Sequence, residues 1–104
     1  MTEHDLPGLM AAYQQGHIDA FEGLYLRLRP RLQQYLSMLT RNRSSTEDLL
    51  QETFLQIHRS RRTYWPGRPV MPWAIAIARH VYLMDVRNRV RFQRREIAVD
   101  DPPE

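Results

Sequence analysis

The chain of 104 residues carries a formal net charge of +3 and contains no cysteine. This length predicts a single domain with a modest core, and the composition excludes disulfides and thiolate metal sites. No apolar run approaches the roughly 20 residues that span a bilayer, and the acidic N-terminus lacks the basic flank of a secretory signal. A soluble cytoplasmic protein is therefore the default expectation.

The positive charge is unevenly distributed along the chain. All fifteen basic residues are arginine; residues 59–95 hold ten of them against one acid, Asp85, whereas residues 1–58 hold five arginines and seven acids. Arginine binds phosphate through its bidentate fork. A block this basic points to a polyanionic partner.

Two helices are predicted in the first forty residues. The first covers residues 5–15, with Pro7 in its first turn and Gly16 as its C-terminal stop. The second begins at Asp19 as N-cap, with Glu22 three residues on, and keeps helical apolar spacing to about Thr40. Its apolar positions are Phe21, Leu24, Tyr25, Leu28, Leu32, Tyr35, Leu36 and Leu39.

Pro30 lies inside the second helical pattern and should kink the helix or split it in two. Three arginines, Arg27, Arg29 and Arg31, straddle this position. They form either a solvated helix face or a surface that meets DNA phosphates.

The segment SSTEDLLQETFLQIH, residues 44–58, predicts a third helix from about Thr46 to Arg59 or Arg61. Ser44 with Glu47, or Ser45 with Asp48, can form a capping box at its start. Helical spacing gives this segment one buried face. That face contains Leu49, Leu50, Thr53, Phe54 and Ile57.

A second face of the third helix is acidic. Asp48, Gln51, Glu52 and Leu55 recur at i, i+3, i+4 and i+7, so they share one stripe. We call these four residues the acidic stripe. It is either a surface suited to a basic partner or an ordinary solvated face near a helix N-terminus, where acids are favourable.

The next segment, RRTYWPGRPVMP, is a loop, because Pro66, Gly67, Pro69 and Pro72 leave no room for a regular element. Its two aromatic residues, Tyr64 and Trp65, have two interpretations. They fold back to cap the core, or they form a stacking platform for unpaired bases. In the second interpretation the flanking Arg61, Arg62 and Arg68 hold the nucleic-acid backbone.

The last helix is predicted from Met71 to about Arg94, with Pro72 at its first position. Its inward stripe consists of Ala74, Ile77, Ala78, Val81 and Met84 or Asp85. Residues 97–104 are acidic, contain Pro102-Pro103 and read as the start of a linker. The fold class is therefore all-α: a compact bundle of about four helices with a Pro/Gly/aromatic loop before the last helix.

Catalysis is not expected from this sequence. His4, His17, His58 and His80 are scattered without metal-ligand spacing, and there is neither a glycine-rich phosphate loop nor a nucleophile elbow. We predict no catalytic residue, no metal site and no cofactor.

Two motifs in order resemble the second conserved region of bacterial sigma factors of the extracytoplasmic-function group. The third helix carries Glu47, Asp48, Gln51, Glu52 and Phe54, and the last helix carries Trp73, Ile77, Ala78, Asp85 and Asn88. The resemblance covers roughly residues 19–95. It departs from the family pattern at His80, where asparagine is usual, at Ala76, where a basic residue is common, and at Asn88, which replaces an arginine. It implies a helical domain over residues 1–95 and an acidic tail over residues 96–104. That tail would begin the linker to a helix-turn-helix domain that the sequence lacks.

The resemblance also implies that two different surfaces bind two different partners. The acidic stripe would dock on the clamp helices of the largest subunit of core RNA polymerase. The loop and the last helix would recognise and melt the promoter minus-ten element by capturing bases of the non-template single strand. The residues implied in DNA binding are Arg61, Arg62, Tyr64, Trp65, Arg68, Trp73, Ile77, Arg79, His80, Arg87, Arg89 and Arg91.

The resemblance implies one further partner, an anti-sigma factor, and leaves two alternatives open. The chain could be a sigma-like decoy that sequesters an anti-sigma factor without binding DNA, although a decoy needs no basic aromatic loop. A generic small helical nucleic-acid-binding module would explain the arginines but not the acidic stripe. Asp85 is expected to act as a cap or to pair with an arginine inside the protein rather than to face DNA.

Overall fold

A computed structural model describes residues 6–100, without the side chains of residues 96–100. Within this range four α-helices follow one another, and a short 3-10 turn, Arg61–Thr63, lies before the last of them. The helices are α1 (Leu6–Gln14), α2 (Asp19–Thr40), α3 (Arg43–Arg59) and α4 (Val70–Asp100). The predicted all-α bundle with a loop before the last helix is confirmed.

The centre of the bundle is the apolar face of α2. Leu24, Leu28, Leu32 and Leu36, each four residues apart, are fully buried. Burial of each such side chain contributes about 1.5–3 kcal/mol. The helices α1, α3 and α4 all pack against α2, and α4 approaches closely because Ala74 and Ala78, both fully buried, face the core.

The helix α2 differs from the prediction at two points. Its N-cap is Ile18, which makes no side-chain cap, so that Asp19 is the first helical residue. Pro30 does not split the helix in two: α2 is continuous from Asp19 to Thr40. Pro30 lies on the exposed side of the helix. Because proline has no N–H, the carbonyl of Leu26, four residues earlier, loses its helical partner. Leu26 is itself 64% exposed.

The helix α3 begins three residues earlier than predicted, and the proposed capping boxes were wrong. Asn42 is the N-cap, with an extended backbone, and its Oδ1 accepts a hydrogen bond from the backbone N–H of Ser45 at 2.8 Å. Ser44 and Ser45 therefore lie inside the helix. The predicted buried face of α3 is confirmed, because Leu49, Leu50, Thr53, Phe54 and Ile57 are all buried.

The helix α4 is longer than predicted. It begins at Val70, keeps Pro72 in its first turn and continues to Asp100 rather than ending near Arg94. Residues 87–95 are all exposed, and the chain extends over 69 × 25 × 20 Å. The helix thus enters the segment predicted as a linker, whose residues 101–104 lie outside the described part.

Candidate functional site

The acidic stripe is a solvent-exposed surface of α3. All four of its residues are exposed, and Leu55 retains 48% of its surface in the free chain. Glu52 makes a long contact with Arg59, 3.9 Å between Oε2 and Nη1, which in an exposed pair contributes little to stability. The carboxylates of the stripe are therefore available to a basic partner.

Glu47, which belongs to the same sequence motif, is instead paired with side chains of the protein. Its Oε2 lies 3.3 Å from Arg29 Nη2, and its Oε1 accepts from Gln33 Nε2 at 3.3 Å. Both partners belong to α2. Glu47 therefore ties α3 to α2, whereas Asp48 and Glu52 face outwards.

An apolar groove of about 700 Å³ borders the acidic stripe between α2 and α3. Phe21, Tyr25 and Phe54 line it as a packed aromatic cluster, with the Tyr25 and Phe54 ring centroids 4.7 Å apart. Asp48, Gln51 and Leu55 line its edge. The charged surface and the apolar groove are thus one continuous face.

The loop before α4 places its two aromatic residues in opposite environments. Tyr64 is only 2% exposed, its hydroxyl donates to the carbonyl of Arg68, and burial raises the pKa of this phenol above its ordinary value. It caps the core, the first of the two interpretations above. The base contact implied for Tyr64 is not available in this conformation, because its ring is covered.

Trp65 is 73% exposed at the tip of the same loop. The tip is a turn in which the N–H of Arg68 donates to the carbonyl of Trp65 at 3.2 Å, and Gly67 adopts a φ of +90°, which favours glycine. Arg62 and Arg68, on either side of Trp65, are also exposed. The loop thus carries an exposed indole with two exposed arginines within three positions along the chain.

The first turns of α4 support this loop. Trp73 is half-buried, its ring packs edge-on against Tyr64 with centroids 5.6 Å apart, and its Nε1 donates to Thr63 Oγ1 at 3.2 Å. Ile77, one turn further along α4, is also half-buried. Both side chains therefore keep a partly accessible surface.

Two of the arginines implied in phosphate binding have partners within the protein. Arg61 is half-buried, and its Nη1 donates to the carbonyl of His58 at 2.7 Å. Arg89 pairs with Asp85 at 3.1 Å; the expected pairing of Asp85 is thus observed, although on the surface of α4. The remaining members are exposed: Arg62, Arg68, Arg79, Arg87 and Arg91.

His80 lies beside the acidic stripe. It lines a groove of about 440 Å³ between α3 and α4 together with Asp48, Glu52, Asp85 and Asn88. The structure therefore places the imidazole on the same groove as two carboxylates of α3. Sequence spacing gave no sign of this, because the juxtaposition depends on how α4 crosses α3.

A second group of polar contacts has no counterpart in the sequence interpretation. The hydroxyl of Tyr13 shares a hydrogen bond with His58 Nδ1, and Gln14 Nε2 donates to the carbonyls of Arg61 and Tyr64 at 2.7 Å each. Burial raises the pKa of the Tyr13 phenol, and the charge of Arg61 partly offsets this. These side chains connect α1 to the loop.

Among the side chains of residues 6–95, no group of three or more His, Cys, Asp or Glu has the arrangement of a metal site. None of the helices within residues 6–100 is long and apolar enough to cross a membrane. Two exposed features coincide with the motifs of the sequence: the acidic stripe with its groove, and the aromatic loop with its arginines.

Residues 24–92 match the family model described as Sigma-70 region 2. The chain belongs to the sigma-70 region 2 family. Its relatives place this region 2 in the extracytoplasmic-function group, as the motifs on α3 and α4 implied. No solved structure matches the chain significantly.

Three curated relatives illustrate the match. The chain is 42% identical over 85 residues to the RNA polymerase sigma factor CarQ of Myxococcus xanthus, covering 82% of this chain and 47% of the relative. It is 31% identical over 105 residues to the sigma factor SigK of Mycobacterium sp. (strain KMS), and this match covers 95% of the chain and 54% of the relative. It is 29% identical over 83 residues to the sigma factor SigX of Bacillus subtilis (strain 168), and this match covers 80% of the chain and 43% of the relative. This region 2 chain thus spans about half the length of these relatives.

Proposed function

We propose that this domain docks on core RNA polymerase and captures non-template bases of the promoter minus-ten element. The observation that carries the proposal is Trp65, 73% exposed on a loop whose other aromatic residue is buried as an anchor. An exposed indole on a loop that also carries exposed arginines suits a stacked base whose neighbouring phosphates are bound by those arginines. No catalytic step is involved.

The acidic stripe supplies the polymerase contact in this proposal. The relatives are named as RNA polymerase sigma factors, and we infer the same enzyme as the partner of this chain. Asp48 and Glu52 present two exposed carboxylates one turn apart, and Leu55 adds an apolar contact. Such a surface complements a basic coiled coil such as the clamp helices.

The DNA surface comprises the loop and the outer face of α4. Trp65 stacks on an unpaired base, Trp73 and Ile77 extend the surface, and the exposed arginines of the loop and α4 bind phosphates. We leave Tyr64 out of the base-contacting set because it is buried. His80 is left out because it lies with Asp48 and Glu52.

Binding of single-stranded DNA tests the role of Trp65. Trp65→Ala should weaken binding of a labelled single-stranded oligonucleotide roughly fivefold or more, because stacking contributes about 1–3 kcal/mol per base. Fluorescence anisotropy of a pool of random sequence at fixed salt measures this. Leu26→Ala, which removes a side chain of similar exposure (64%) from α2, is the control.

Unchanged affinity in Trp65→Ala would contradict base capture by this loop. It would favour the decoy alternative, in which the domain sequesters an anti-sigma factor without binding DNA. The exposed arginines disfavour the decoy, because binding to a protein partner does not require them. In the sigma-factor proposal an anti-sigma factor is a regulator of this domain.

A further inference from the structure

Gln14, the last residue of α1, holds both ends of the 3-10 turn that opens the loop. Its Nε2 donates to the carbonyl of Arg61 and to that of Tyr64, each at 2.7 Å. A primary amide nitrogen has two N–H groups, so both are used on the loop backbone. The two partners lie 47 and 50 positions along the chain from Gln14.

The end of α1 is built so that Gln14 reaches this position. The N–H of His17 donates to the carbonyl of Ala12 at 3.0 Å, the N–H of Gly16 donates to that of Tyr13 at 3.0 Å, and Gly16 has a φ of +97°. This is a Schellman motif. Tyr13, buried and hydrogen-bonded to His58, fixes the same turn against the end of α3.

The second carbonyl that Gln14 holds belongs to the peptide bond between Tyr64 and Trp65. Because a peptide bond is planar, fixing the direction of its carbonyl also fixes the orientation of the backbone that enters Trp65. The ring of Trp65 itself is exposed and has no comparable anchor among the hydrogen bonds of the described residues. The backbone from which the Trp65 side chain projects is therefore oriented by this peptide plane, while rotation about χ1 and χ2 sets the direction of the ring itself.

We propose that Gln14 is a positioning residue for base capture, which presents Trp65 to DNA by fixing the Tyr64–Trp65 peptide. This inference rests on the proposed function. Gln14 lies outside residues 24–92, the part that matches the family model. The inference gives α1 a role in DNA binding, although α1 carries no basic residue in its last turn.

The test compares Gln14→Met with Gln15→Met in the chain. Methionine has nearly the shape of glutamine but no donor, and Gln15 is the exposed neighbour. We expect Gln14→Met to weaken binding of a fluorescein-labelled random single strand of about 12 nucleotides roughly fivefold. Gln15→Met should bind the strand as the wild type does. Binding of both variants to core RNA polymerase should remain unchanged.

A double-mutant cycle separates positioning from a general structural effect. If Gln14 acts through Trp65, adding Gln14→Met to Trp65→Ala should change the affinity by less than about twofold. A loss of the same size in both backgrounds would overturn the inference. So would equal affinities of Gln14→Met and Gln15→Met in the presence of Trp65.

A donor-retaining pair keeps the test decisive if Gln14→Met fails to fold, as judged by circular dichroism. Lysine can donate to both carbonyls, so Gln14→Lys should bind the strand as tightly as Gln15→Lys, which adds the same charge. Weaker binding by Gln14→Lys would contradict the donor role. If Trp65→Ala binds the strand as tightly as the wild type, the proposed function fails. If Trp65→Ala weakens binding but Gln14→Met does not, only this inference fails.

Discussion

Single polar side chains hold the helix ends and the loop of this domain. Asn42 caps α3, Gln14 bridges two loop carbonyls, and Trp73 donates to Thr63. Each of these contacts satisfies or orients a group that would otherwise meet only water. Their individual contributions to stability are about 0.5–1.5 kcal/mol, yet those of Gln14 hold two backbone carbonyls of the loop.

Asn42 gives a residue-scale prediction. Asn42→Ala should lower the free energy of unfolding by about 0.5–2 kcal/mol, because the N–H of Ser45 loses its capping acceptor. Chemical denaturation followed by circular dichroism measures this.

The matched control is Ser44→Ala, at an exposed position inside α3. It should change the free energy of unfolding by less than about 0.5 kcal/mol. A larger loss at Ser44 than at Asn42 would restore the capping box predicted from the sequence.

The helix α2 combines a fully buried leucine face with a proline in its interior. Its four fully buried leucines bind the other three helices together, while Pro30 interrupts the hydrogen bonds on the exposed side. A proline inside a helix costs about 3 kcal/mol. The helix remains continuous because tertiary packing outweighs this local cost.

Pro30→Ala should therefore stabilise the domain. Restoring an N–H donor to the carbonyl of Leu26 and removing the ring should raise the free energy of unfolding by about 1–3 kcal/mol. Thermal or chemical denaturation measures this change.

Pro7→Ala is the control at the element scale, because Pro7 lies in the first turn of α1, where a backbone N–H has no helical partner anyway. Its effect should stay below about 1 kcal/mol. Destabilisation by Pro30→Ala would show that the domain requires the proline conformation at this position.

At the scale of the whole molecule, opposite charges lie on successive elements. The acidic stripe belongs to α3, and the ten arginines of residues 59–95 follow on the end of α3, the loop and α4. Exposed arginines continue along α4 as far as residue 95. One small bundle thus presents an acidic surface and a separate arginine-rich surface, as the proposed docking and DNA-binding roles require.

The sequence predicts periodic features of this molecule and misses contacts between distant residues. Helical spacing was sufficient for the buried face of α3 and for the exposure of the acidic stripe, because both follow from the turn of a helix. It could not separate Tyr64 from Trp65, since an irregular loop has no periodicity. The contacts of Gln14 and His80 depend on tertiary packing between helices.

Binding to core RNA polymerase tests the central claim most directly. The measurement compares the wild-type chain with Asp48→Arg/Glu52→Arg, using purified bacterial core enzyme and fluorescence anisotropy of the labelled chain. Asp19→Arg/Glu22→Arg, which reverses two exposed acids of α2, is the control with the same change of charge. Circular dichroism verifies that both variants fold.

We predict that the wild type and the α2 variant bind and that the stripe variant loses at least about tenfold in affinity, because like charges then face each other. Equal binding by all three chains would contradict docking through the acidic stripe. Failure of the wild type to bind would contradict the sigma-factor function itself.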